Sequence, residues 1–160
     1  MMNDAYQDPM VTVAIYLAIA TTTAKIFHRG QVRWDGSDYF DNHIQQVTED
    51  VCVKHSGHVD GPTLAAIALL HDIIEDTACD EEMLRSLGFD DRVMDGVLAI
   101  TKVYDGSEDY WQYLERVKRN PDARAAPSRS VTSAITLLTL WKTIRTRQNQ
   151  SRNTTKRWIS

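Results

Sequence analysis

After Asp122 this 160-residue chain contains no aspartate or glutamate, although 22 acidic residues precede that point. Ten basic residues leave 1–122 at −12, and eight more make 123–160 +8, so the net charge of −4 conceals two segments of opposite character. Such a split implies either a basic tail with its own partner or two segments of different origin. Cysteine is scarce as well. Cys52 and Cys79 lie far apart and form no CxxC, which excludes a disulfide framework and a zinc knuckle and leaves two ordinary thiols, buried or partly exposed. Long apolar runs are missing. The most apolar stretch, 10–20, is shorter than a bilayer requires, and Asn3, Asp4 and Asp8 ahead of it lack the basic flank of a secretory leader. A buried helix in a cytoplasmic protein, with no membrane partner, is expected there. Strand-like alternation of useful length does not occur before Asn120, so the expected class is all-α.

What is present fits one globular domain: 42% apolar and 25% charged residues suffice for a sizeable core. "VTVAIYLAIATTTAKIFH" reads as a helix that starts at Asp8-Pro9 and is apolar almost all round, hence buried. "RGQVRWDGSDYF" is polar and turn-forming, after which Ile44, Val47 and Val51 share one helical face. "KHSGHVDGP" breaks the pattern, and "TLAAIALLHDIIEDT" is the strongest helix in the chain. "DEEMLRSLGF", with two acids in its first turn, "DDRVMDGVLAIT" and "EDYWQYLERVKRN" complete the helical series. The helical domain is placed at 1–122. The remainder, 123–160, is an atypical basic tail rich in Ser, Thr, Arg and Asn, with one apolar patch at 135–141 and otherwise disordered in character.

The end of the strongest helix carries four ionisable groups, His71, Asp72, Glu75 and Asp76. Helical spacing pairs His71 with Glu75 and Asp72 with Asp76. Acids and an imidazole so close together repel and desolvate one another unless a cation sits among them, and imidazole with carboxylate is an ordinary donor set for a transition metal. The plain alternative is a solvated helix end with capping acids, which His-Asp taken alone favours. His55 and His58, in the broken linker, read as surface histidines.

The order of three stretches adds to this. "FHRGQVRWDGSDYFDNH", then "ALLHDIIEDT", then "DGVLAITK" resembles the HD-domain metal-dependent phosphohydrolases, and among them the hydrolase domain of the RelA/SpoT stringent-response enzymes and the small alarmone hydrolases. Their patterns look like "AHxGQxRxxGxPYIxHP", "ALLHDxxEDT" and "FGxxVxxLVxGVTK", and the resemblance covers about half the chain. It implies an HD-type helical bundle that hydrolyses a nucleotide phosphate ester or pyrophosphate, guanosine tetraphosphate-like, with a divalent metal such as manganese. Position by position, His43, His71 and Asp72 match metal ligands, while Glu75 and Asp76 match the acids that position and activate water. Arg33 matches a basic residue near the substrate base, and Trp34 stands where a lysine is common and could stack on a purine. His28, Gly30 and Gln31 match a structural stretch. Two departures stand out: Ile44 replaces the proline after the first ligand, and Tyr39 lies four residues before His43 instead of three.

Members of that family also supply an acidic ligand from a later helix, and no acid follows Asp122 here. Residues 126–137, back-translated and read two nucleotides on, can give AVEVGDLRHNL, the kind of segment the family has at this point. The tail is therefore read as the product of a shifted frame, with hydrolysis impaired by the lost ligand. Two other functions stay open: a catalytically silent nucleotide-binding module, and a nucleic-acid-binding protein using the eight basic residues of the tail with Trp141 and Trp158. The second is the weaker, because the basic residues are sparse among Ser and Thr and form no recognised motif.

Overall fold

Helix starts are written plainly in this chain. Asp8, Asp80, Asp90, Asp109 and Asn120 each accept a backbone N–H in the first turn that follows, and Asp109 completes a capping box with Gln112. The computed structural model describes residues 8–126 together with Thr139. The expectations placed on the tail beyond Ala126 lie outside the described residues.

The caps open α1 (Pro9–Phe27), α5 (Glu81–Ser86), α6 (Asp91–Ile100), α7 (Tyr110–Arg119) and α8 (Pro121–Ala125). Between α1 and α5 come a π-helical turn, Phe40–Ile44, then α2 (Gln45–Lys54), α3 (Gly61–Leu70) and the short α4 (Ile73–Asp76). Among the described residues no strand forms, and a single antiparallel bridge, Val32 to Asp38, closes a small turn whose Gly36 takes a φ of +81°. The fold is all-α, as the missing alternation implied.

The centre of the molecule is α3. Every residue from Leu64 to Leu70 is buried, and α1, α2, α6 and α8 pack around it. A helix apolar on all sides belongs in such a place. Closest approach is at Gly96 of α6, where an added Cβ would lie 2.4 Å from Ile67 Cδ1 and 2.9 Å from its Cγ1. Arg92 joins α6 to α8 by a two-pronged bond to Asp122 and to the start of α3 by another to Asp60. Arg116 closes the far side, donating to the carbonyls of Leu98, Ala99 and Thr101 at the end of α6 and to Glu108. The body does not stop at Asp122, since Ala123 and Ala126 are fully buried.

Two expectations need correction. Although apolar all round, α1 buries only Ala20, Thr23 and Ala24 and leaves Met10, Val11, Ile15, Ile19 and Ile26 exposed, because it packs on one side of α3 and has no second neighbour layer among the described residues. At 19 residues with a mean hydropathy of 1.6, the whole helix is long and apolar enough to cross a membrane by length and composition, which the 10–20 stretch alone was not. The strongest helix, in turn, is not continuous. α3 ends at Leu70 and α4 begins at Ile73, with Asp72 at φ −102°, ψ −1°, in the sparsely occupied region between helix and strand.

Candidate metal centre

The helix break has a visible cause. His71 is 3% exposed, and its Nδ1–H donates to the Ala68 carbonyl at 2.7 Å, an oxygen that a continuing helix would offer to the chain four residues on. Because a carbonyl can only accept, the Nδ1 atom carries the proton and Nε2 is directed away from the core. His43 reaches the same point from the π turn, where Gln45 N–H bonds to the Phe40 carbonyl in a five-residue step. Asp72 joins them from the break. His43 Nε2 and His71 Nε2 each lie 3.0 Å from Asp72 Oδ2 and 3.2 Å from one another. Among the described residues this is the His/Asp group able to share an ion. The donor set fits a divalent cation: two imidazole nitrogens and one carboxylate oxygen converge, and His71 already has its other ring nitrogen fixed by a carbonyl, the usual outer support of a ligating histidine.

Without a cation the three groups act on each other. Burial alone pulls the His71 imidazole down, but the charge and hydrogen bond of Asp72, with the Ala68 carbonyl, outweigh it and hold the ring above its ordinary value. Burial likewise pushes Asp72 up, and His71, with hydrogen bonds from His43, His71 and Tyr39, drives its carboxyl far below the usual range. Each partner thus favours the charged form of the other, and a metal bound here would take the place of the Nε2 proton.

The two acids of α4 diverge. Asp76 Oδ2 lies 3.1 Å from the Tyr39 hydroxyl, which donates to Asp72 Oδ2 at 2.7 Å, so Asp76 stands beside the triad with one residue between. Glu75 faces the chain after α6: the Lys102 N–H and the Tyr104 hydroxyl donate to its two oxygens at 3.1 and 2.6 Å, and Lys102 Nζ lies 3.7 Å away. Tyr104 is pushed up to about 12, chiefly by that hydrogen bond. Arg33 donates to the Asn42 carbonyl, one residue before His43, while Trp34 is 92% exposed at the tip of the small turn. His28 is buried and donates from Nδ1 to Gln31 Oε1, and Gln31 Nε2 donates to the Asp76 carbonyl, so the "HxGQ" stretch ties the end of α1 to α4. His55 is half-buried and His58 exposed beside Asp60, away from this cluster.

From the sequence, Tyr39 stands out only by its spacing from His43, and Lys102 and Tyr104 carry no assigned role. Tyr39 and Lys102 were inside quoted motifs, and their polar ends beside apolar neighbours were the available signal. Tyr104 had none, because its partner is 29 residues away. The chain matches no protein-family model, and no curated protein matches it.

Proposed function

We propose that this chain carries the metal site of an HD-type phosphohydrolase, acting on a phosphate ester or pyrophosphate of a guanosine tetraphosphate-like nucleotide, and that it turns over slowly as written. The carrying observation is the convergence of His43 Nε2, His71 Nε2 and Asp72 Oδ2 within 3.2 Å. Two imidazole nitrogens and one carboxylate oxygen would suit a first-row divalent ion, and manganese is the one the resemblance implies. The π turn supports the family reading too: a π turn holds one residue more than an α turn, and it falls where Tyr39 and His43 are one residue further apart than in the family pattern.

A divalent ion held there would polarise a phosphoryl oxygen and lower the pKa of water beside it. The chain's own residues divide the remaining work. Asp76, oriented through Tyr39, accepts the proton of the attacking water at its carboxylate. Glu75 holds Lys102 and Tyr104 against α4, which keeps one cation and one aromatic ring at the edge of the site. Trp34 offers a face to a base, and Arg33 steadies the turn that carries His43. Three protein ligands leave the coordination of an ion less complete than the four-ligand set implied by the resemblance, hence the slow turnover.

The test is manganese-dependent release of phosphate or pyrophosphate from guanosine tetraphosphate, measured together with nucleotide binding. It compares this chain, His71→Ala and the chain with the shifted frame restored. Slow release abolished by His71→Ala and accelerated by the restored frame is expected. Nucleotide binding with no release from any form would leave the silent binding module, and release indifferent to manganese or to His71→Ala would sink the reading.

A further inference from the structure

We propose that Tyr39 is a positioning residue of this centre: its neutral phenol orients Asp72 as a ligand and keeps Asp76 turned towards the same point. The inference rests on the metal-site reading above and deepens it with a residue outside its three ligands. Tyr39 sits immediately before the π turn, with its backbone N–H on the Gln31 carbonyl at 3.0 Å. Its ring is clamped. His28 stacks on one side at 5.2 Å and 28°, and His43 lies tilted against it at 5.1 Å and 57°. His28 cannot yield easily, being 1% exposed and held through Nδ1 by Gln31. Two rings and one backbone bond therefore fix where the phenol oxygen stands, 2.7 Å from Asp72 Oδ2 and 3.1 Å from Asp76 Oδ2.

A phenol has one proton, so it donates to one carboxylate at a time. In the metal-free protein the shorter distance gives it to Asp72. That oxygen already has both imidazoles at 3.0 Å, and a cation bound in place of the protons between them would draw on the same lone pairs. The phenol proton then has Asp76 within reach without any movement of the ring. Tyr39 thus serves both carboxylates from one position, and it couples the ligand to the acid that handles the water proton. Because ligands are oriented by the groups outside them, losing such a partner typically weakens metal affinity about 10–100-fold.

The deciding comparison titrates Mn2+ into the full-length wild-type chain, Tyr39→Phe and Tyr39→Leu. Binding is read by calorimetry and by the Mn2+ electron paramagnetic resonance line shape, folding by circular dichroism, and the pH profile of phosphate release beside them. Phe keeps both ring contacts and removes only the hydroxyl; Leu removes the ring as well. The expected result is a roughly tenfold or greater loss of Mn2+ affinity already in Tyr39→Phe, with a changed line shape and a shifted pH profile in a folded protein. A Phe variant equal to wild type in affinity, line shape and pH profile, with loss appearing only in Leu, overturns the role and leaves Tyr39 a packing residue. If wild type binds no Mn2+, the metal-site reading and this inference fall together.

Discussion

His71 combines burial, a fixed tautomer and a carboxylate neighbour, and its titration makes the site visible in stability. Its value is raised above the ordinary 6.5, so its contribution to the metal-free fold is fully present below that pH and is lost as pH rises through the raised value. Asp72 is depressed below 3.8, so its contribution is present above that value and is lost only far into acid. Melting temperatures without metal should therefore fall as pH rises above 6.5, while the stabilisation added by Mn2+ should grow in the same direction, since the metal needs an unprotonated Nε2. A metal-free melting temperature that stays level, with a manganese effect independent of pH, would contradict the pairing. His43, His71 and Asp72 were legible in the sequence because the short motif and its order carry them. Tyr39, Lys102 and Tyr104 were not, because bonds such as Tyr39 to Asp72 span 33 residues and leave no local period.

Among the elements, two helices that are apolar almost all round have opposite fates. α3 is buried from Leu64 to Leu70, while α1 turns Val11, Ile15 and Ile19 outward. Composition cannot separate them, since which helix gains neighbours on every side is settled by tertiary packing. The helix break at His71 and Asp72 was equally hidden: it comes from a side chain taking the Ala68 carbonyl, not from a Gly or Pro. The capped start at Asp8, by contrast, was readable, because the cap is a local bond, and Asp80, Asp90 and Asp109 cap their helices in the same way. The tightest helix contact yields a direct prediction. Gly96→Ala should gain about 1 kcal/mol of helix propensity but force Ile67, fully buried, out of its place at a cost of about 1–3 kcal/mol. The expected outcome is a melting temperature lower by up to roughly 8 °C; a higher one would mean that α3 and α6 are not in contact as described.

At the scale of the whole molecule, the described helical body, 8–126, holds the assembled donors, and all of them come from the acidic part of the chain, 1–122. Arg92 and Arg116 tie α6 to α3, α7 and α8, while the site is built from the π turn and the break after α3. The central claim is that this body gathers one divalent cation at His43, His71 and Asp72. Equilibrium binding of Mn2+ to the purified chain at near-neutral pH, with its stoichiometry, tests it most directly. One Mn2+ per chain is expected, with affinity reduced at least about tenfold by His71→Ala or Asp72→Ala; no saturable site, or one that survives both substitutions, would contradict the account.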